Sequence, residues 1–330
     1  MKFFTFVFIL IFSSLTVAGE LATIAFYNVE NMFDHIDDPN VDDSEFTPSG
    51  TNAWTEKKSL EKILKIGKVI YSLRNSNNQT PDIIGLAEVE NARVIKTLLS
   101  IKEIKELGYD FVHFDSPDKR GIDVAFLYKK NRFSVESSSV IPVKMEGLKP
   151  TRDILKIIGQ LDGESFVFYV NHWPSRSGGE AGTAPFRIGA GRILRKEFDD
   201  LMKINPNAKV MIMGDFNDNP NDKSLKNSLI AKTKLTEMVS PDLFNPYFAL
   251  SRKGDGSNLF NDVWFNFDQL IISDQLINPG RGFKFSEAKV FRANFLFQTT
   301  GRYRGYPARS YSEGNIGYSD HLPVYINLVR

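Results

Sequence analysis

Small polar clusters that interrupt apolar runs are the residues best placed to do chemistry. Asn28 follows Ile24-Ala25-Phe26-Tyr27, Glu88 follows Ile83-Ile84-Gly85-Leu86-Ala87, and Asn171-His172 follows Phe166 to Val170. Asp215 and Asn217 follow Met211-Ile212-Met213, and Ser319-Asp320-His321 precedes Leu322. Carboxylates at Glu88 and Asp320, with amide oxygens nearby, are hard ligands suited to Mg2+ or Mn2+. No His-x-x-x-His pair and no cysteine is present to select zinc. A cation with open positions stabilises charge on a phosphate oxygen, and His172 and His321 can donate hydrogen bonds as that charge builds. Asp215 can take a proton from an attacking water that Asn217 orients. The set fits hydrolysis of a phosphate ester.

Each cluster alone also reads as ordinary structure. Gly214 to Pro220 is rich in turn formers, Ser319-Asp320 suits a cap, and a lone histidine is more often structural than catalytic. Sheets bring the ends of neighbouring strands to one rim, so clusters distant in sequence converge there. Recurrence at successive strand ends favours a shared site.

The elements that must position these residues follow from periodicity. Strands are predicted at Ala22–Tyr27, Asp82–Ala87, Tyr109–Phe114, Ile122–Tyr128, Arg132–Val140, Lys209–Met213, Phe267–Ile272, Ala288–Arg292 and Val324–Val329. Asp162-Gly163 marks a hairpin between Ile154–Leu161 and Ser165–Val170. Helices are predicted after a Thr55 cap, with Leu60, Ile63, Leu64, Ile70 and Leu73 at helical spacing, over Val94–Leu107, and over Phe186–Lys203. Helices mixed irregularly with hairpins indicate one domain of two packed sheets with helices outside.

Bulk properties narrow the class. The 330 residues carry a formal charge of +1, so no broad basic surface announces a polyanion partner. Residues 1–18 combine a basic start, an apolar stretch and small residues at Thr16-Val17-Ala18, the plan of a signal peptide rather than a membrane anchor. Residues 19–330 are then one exported domain, periplasmic or extracellular, without disulfides because cysteine is absent. No obligate protein partner is evident. The acidic loop from Asp34 to Glu45 lacks the spacing of an EF-hand. A solvated loop is the better reading of it, with structural Ca2+ the alternative.

Tyr27-Asn28-Val29-Glu30-Asn31, Gly85 to Asn91, Val170 to Trp173, Gly214 to Asn217 and Ser319 to Pro323 together resemble the ordered motifs of the endonuclease/exonuclease/phosphatase superfamily. Phe26 to Asp34 looks closest to its secreted bacterial nucleases. The resemblance implies a four-layer α/β sandwich and a divalent metal held by Glu88, with Asn28 and Asp320 adjoining. It implies that Asp215 positions or deprotonates the nucleophilic water, that Asn217 orients phosphate, that His321 contacts phosphate paired with Asp268, and that His172 is a second histidine. Where some relatives carry a tyrosine, this chain has Arg120-Gly121-Ile122-Asp123. Asp123 is therefore expected to pair with His172, and Arg120 to contact phosphate. Asn171 and Arg176 complete the expected substrate contacts, with Arg187 and Arg192 near Arg176. Arg302, Arg304 and Arg309, interleaved with Tyr303, Tyr306 and Tyr311, form a second basic stretch suited to bases. The expected activity is a metal-dependent nuclease, with DNA endonuclease foremost. A phosphatase or lipid phosphodiesterase of the same superfamily is the alternative, and a non-catalytic binding protein the third reading.

Overall fold

The structure, a computed structural model, describes residues 21–310 and 315–330. The segment expected to be a signal peptide, residues 1–18, and Tyr311 lie outside the described residues.

The first strand, β1 (Leu21–Met32), shows how the layers arise. Its side chains alternate, so Ala22, Ile24 and Phe26 enter one apolar cluster while Ala25, Tyr27 and Val29 enter another on the opposite face. A strand buried on both faces belongs in the middle of a layered protein. One sheet runs in the order β14 (Lys284–Val290), β15 (Val324–Val329), β1, β2 (Ile83–Val89), β4 (Asp123–Lys129), β3 (Tyr109–His113). The other runs β5 (Phe133–Ile141), β6 (Ile154–Leu161), β7 (Glu164–His172), β8 (Lys209–Asp215), β13 (Asp268–Ser273), β10 (Leu243–Phe244), β9 (Ala231–Lys232). A small ribbon pairs β11 (Asn258–Phe260) with β12 (Val263–Phe265).

The sheets face each other across a core rich in phenylalanine. Phe126 lies 5.2 Å from Phe168 and 5.5 Å from Phe133, ring centre to ring centre. Truncating such a ring to Ala costs about 3–5 kcal/mol. Helix α1 (Glu56–Ser72) and α2 (Ala92–Ser100) cover the outer face of the first sheet, packing Ile63, Ile66, Ile70 and Leu98 on Tyr27, Leu86 and Leu127. Helix α4 (Glu180–Ile204) covers the second sheet through Ala190, Leu194 and Phe198. The expected four-layer α/β sandwich is present.

The elements differ from expectation in three places. The helix predicted over Val94–Leu107 breaks at Ile101 into α2 and the short α3 (Lys102–Lys105). Leu60 and Leu64 face solvent, because Ile63, Ile66, Val69 and Ile70 already fill the buried stripe of α1. Helix α4 starts at Glu180, before Pro185, with Gly178 and Gly179 at positive φ turning the chain into it. The remaining short helix, α5 (Tyr247–Ser251), buries Tyr247 against the inter-sheet core. No helix among the described residues is long and apolar enough to cross a membrane.

The topology brings the site to one rim. β1 and β2 run parallel, as do β7 and β8, and Asn28 aligns with Ala87 while His172 aligns with Asp215. Antiparallel β13 begins at the same rim, with Asp268 opposite Asp215. Gly214 permits this approach, since a Cβ there would sit 2.5 Å from the Asn171 carbonyl oxygen.

Candidate active site

Glu88 occupies a bulge. The pairing of β2 with β4 slips between Ala87 and Val89, and Glu88 takes a left-handed φ of 64°. Bulges re-aim side chains, and a left-handed non-glycine residue persists only where its surroundings hold it. Here the Asn31 N–H donates to Glu88 Oε2 at 2.9 Å, and Asn28 Nδ2 donates to Glu88 Oε1 at 3.2 Å. The same Asn28 amide donates to Asp215 Oδ2 at 3.0 Å, while Asn28 Oδ1 accepts the Glu30 N–H at 2.9 Å. Asn28 therefore presents its NH2 to the site and spends its oxygen on the backbone. It bridges Glu88 and Asp215 rather than offering the ligand oxygen that the sequence suggested.

Asp215 is fully buried at the end of β8. Burial pushes its carboxyl up to about 6, with Asp268 adding to the rise while His321 and the Asn217 N–H and Asn28 bonds hold it down. His321 sits opposite. Its Nδ1 meets Asp268 Oδ2 at 2.6 Å, and Asp268 also accepts the Ser257 hydroxyl at 2.6 Å. Burial opposes the imidazolium, but Asp268, Asp215 and Asp320 together raise it well above the ordinary histidine value. His321 Nε2 is left 3.9 Å from Asp215 and 3.8 Å from Asp320.

His172 is the opposite case. Burial, then the charges of Arg152, Arg120 and His321, press it well below the ordinary value, so the ring is neutral. Its Nε2 lies 3.7 Å from Asp215 and 3.9 Å from Glu88. One neutral and one cationic imidazole thus flank the same buried aspartate. Asn217, also left-handed at φ 51°, donates from Nδ2 to the Trp173 carbonyl at 3.1 Å, and its amide oxygen takes no hydrogen bond from the described residues. This arrangement can accept a proton, orient a water and neutralise an oxyanion.

Several expected contacts are not made. Asp123 pairs with His113 at 3.0 Å, not with His172, because β3 and β4 are adjacent antiparallel strands and supply a histidine nearer by. Arg120 has a 52% exposed side chain that leans on Asp118 at 3.6 Å. Asn171 points away from the rim, since neighbours along a strand face opposite sides. Its amide bonds the carbonyls of Tyr169 and Met213 and receives Trp173 Nε1 at 3.1 Å. Arg176 bonds the Asn217 carbonyl at 2.7 Å and pairs with Asp218 and Asp222. Arg187 is buried against Asp218 at 2.8 Å. These two guanidiniums pin the loop that carries Asn217 to α4 rather than awaiting phosphate.

Other residues support the site in roles that the sequence reading did not give them. Ser319 Oγ donates to the Asn28 carbonyl at 2.7 Å and receives the His321 N–H at 3.0 Å, tying two motifs together. Arg152, buried between Asp118 and the Trp173 carbonyl, supplies charge against His172. Glu30 takes Arg309 at 3.0 Å and the Ser310 N–H at 2.6 Å. Ser319 lies inside a quoted motif and was findable. Arg152 follows a loop with no pattern to mark it.

Glu88 and Asp320 offer a cation hard, partly exposed oxygens. Their side chains are 15% and 32% exposed at the mouth of the site. Among the described residues no Lys or Arg forms an ion pair with Glu88, whose close partners are the neutral donors Asn28 and Asn31. Among the described residues two acid–histidine groupings are close enough to hold an ion, His113 with Asp115 and Asp123, and, at this rim, Asp215 with Asp268 and His321. The rim set is buried, and His321 and Asp268 are already committed to each other, which leaves few free ligand atoms there for an ion. In the acidic loop, Asp34 serves Arg93, Asn91 and the Ile36 N–H, and Asp43 receives the Asp38 N–H. The loop is held by its own bonds.

Residues 23–330 match the family described as Endonuclease/Exonuclease/phosphatase. The chain belongs to that family. Its members are phosphoester hydrolases, typically dependent on a divalent cation. Among curated proteins no relative matches. Solved structures share the fold. An endonuclease/exonuclease/phosphatase family protein from Bacteroides thetaiotaomicron is 16% identical with a TM-score of 0.59, covering 94% of this chain and 98% of that one. The mannosyl-6-phosphatase of the same organism is 15% identical, TM-score 0.57, covering 94% and 100%. D. rerio TDP2 complexed with a single-strand DNA product is 14% identical, TM-score 0.55, covering 94% and 99%.

Proposed function

We propose that this chain is an exported phosphodiesterase that cleaves nucleic acid, DNA foremost, with Mg2+ or Mn2+ as cofactor. The observation that carries the chemistry is the buried Asp215, pushed up to about 6 and flanked by a neutral and a cationic imidazole. A carboxylate poised near neutrality is a proton acceptor suited to water. Asp215 takes the proton as the water oxygen bonds to phosphorus, and the Asn217 amide oxygen holds that water in line. The ester oxygen departs as its bond to phosphorus breaks. His321, kept cationic by Asp268, answers the negative charge on the phosphoryl oxygens. Glu88 and Asp320 would hold the cation, which supplies Lewis-acid stabilisation when bound.

Nucleic acid is favoured by the exposed aromatic and cationic residues beside the site, among them Tyr303 and Arg302, and by the likeness in fold to a TDP2 that holds single-strand DNA. The likeness in fold to a mannosyl-6-phosphatase favours a second reading, hydrolysis of a sugar phosphate. Export rests on the plan of residues 1–18.

The test sets plasmid, single-stranded DNA, RNA and a hexose phosphate side by side, with Mg2+ and then with EDTA. Cleavage of nucleic acid that EDTA and Asp215→Ala both abolish is the expected result. Phosphate release from the sugar ester alone would move the activity to the second reading. Secretion is checked by finding the chain outside the cytoplasm, shortened near Ala18.

A further inference from the structure

Beside the active site lies a recess of about 690 Å3 whose floor includes Asp320, Arg309 and Ser310. One wall is the β11–β12 ribbon and the other is loop 298–307. The recess is continuous with the reaction centre. Asn258 pairs its backbone with His321, and Asn258 Nδ2 donates to the Asp320 carbonyl at 3.2 Å. Whatever enters it is adjacent to the phosphate that His321 meets.

Two flat rings stand bare in this recess: Phe260 is 63% exposed and Tyr303 is 44% exposed. Their supports are firm. Trp264, from the same ribbon, stacks beneath the Arg292 guanidinium at 4.1 Å and meets Phe297 edge-on at 6.4 Å. Tyr306 ties the two walls together, its hydroxyl donating to Asp262 Oδ1 at 2.7 Å and receiving the Asp262 N–H at 2.9 Å. The turn that lifts Phe260 is made by Asn261 and Asp262, both left-handed at φ 48° and 62°. Both rings line one recess, and it is such grouped exposed apolar surface, rather than a single exposed ring, that marks a binding site.

The charges around the rings agree. Asp262 is engaged by Tyr306, and Asp320 faces Arg309 at 3.6 Å. No carboxylate pairs with Arg302 among the described residues, and its guanidinium lies 5.6 Å over the Tyr303 ring. Flat rings beside a guanidinium that no carboxylate holds are the chemistry that receives a base face and a backbone phosphate. The polar lining from Asn258, Asn261, Gln298 and Ser310 is unsuited to an acyl chain.

Resting on the nuclease reading above, we infer that this recess is a subsite for an unpaired nucleobase flanking the cleaved phosphate. Phe260 and Tyr303 provide the stacking faces and Arg302 meets a backbone phosphate. The volume is that of a small-molecule pocket rather than a duplex groove. A base inside a duplex cannot offer its face, so the subsite selects single-stranded or frayed substrate.

The test measures binding of labelled oligodeoxynucleotides to the full chain silenced by Asp215→Ala, by fluorescence anisotropy. Two oligonucleotides of equal length are compared, one normal and one whose sugar–phosphate backbone lacks bases. The base-free strand is expected to bind about tenfold more weakly. Adding Phe260→Ala and Tyr303→Ala should weaken the normal strand to the base-free level and move the base-free strand little. Circular dichroism melting checks that the variants fold, as expected for exposed side chains. Equal binding of the two strands, or no loss in the doubly substituted chain, overturns the subsite. A loss of hexose phosphate affinity instead would assign the rings to a sugar and overturn it as well. If the native chain cleaves no nucleic acid at all, the nuclease reading fails first. If it cleaves DNA and the rings prove idle, only the subsite fails.

Discussion

The rim of the sheets and the flank beside it are built on opposite principles. At the rim Asn28, His172, Asp215, Asp268 and His321 are buried, and hydrogen bonds between distant segments tie Asn28 to Asp215 and His321 to Asp268. On the flank Phe260, at the end of the short strand β11, and Tyr303 and Arg302, on a turn, stand in solvent. Bond making needs groups fixed to a fraction of an ångström, whereas substrate choice needs surface that can be exchanged without disturbing them. The inter-sheet core meets the first demand and the loops meet the second.

The widest gap between the regions is expected from Asp215→Ala and His321→Ala. Each should lower kcat about a thousandfold or more, since each removes a group acting in the transition state. The melting temperature of Asp215→Ala should stay near that of the native chain or above it, because burial disfavours that carboxylate, whereas His321→Ala should melt lower, because it strips the partner from buried Asp268. Activity within tenfold of native in either variant would place the chemistry elsewhere. Asp268→Asn should cost about a hundredfold, a smaller loss because it acts through the charge state of His321.

Glu88→Gln sharpens the comparison within the rim itself. If Glu88 holds the cation, calorimetric titration with Mn2+ should show affinity at least about tenfold weaker, with the fold intact. An unchanged titration would leave Asp320 or another group as the principal ligand. The same rim predicts an acid limb in the rate. Asp215 acts as the unprotonated carboxylate, and its value of about 6 means it gains a proton as pH falls through that region. The profile of kcat/KM should therefore decline about tenfold per unit on the acid side. A flat profile from pH 7 to 4.5 would remove Asp215 from the proton-accepting role.

What could be read in the sequence follows the same division. The rim motifs were legible because a buried strand ending in a polar residue is rare, and strands ending side by side must share a rim. Two packed sheets were legible because helices mix irregularly with hairpins along the chain, and the four layers followed from the resemblance carried by the ordered motifs. The amide of Asn28 was misassigned because residue type does not say which end of an amide faces the site, and the Glu30 N–H decides it. Arg176 and Arg187 were misread because Asp218, their partner, looked like part of a turn. The β11–β12 ribbon was missed altogether, its three-residue strands being too short for any periodicity to show.

The smallest effect is expected at Arg120, outside the buried rim. Its side chain is half exposed, beside Asp118, and touches none of the reacting groups. Its one influence is electrostatic, joining Arg152 in holding His172 neutral, and burial of the ring is the larger cause. Removing the charge leaves His172 neutral at pH 7, so Arg120→Ala should change kcat/KM by no more than about twofold. Arg152→Ala should behave differently, because it strips a buried partner from Asp118 and the Trp173 carbonyl. That loss should cost about 3 kcal/mol of stability and appear first in the melting curve. A tenfold loss of activity in Arg120→Ala, with Kd for substrate weakened equally, would return Arg120 to the phosphate contact that its place in the sequence suggested.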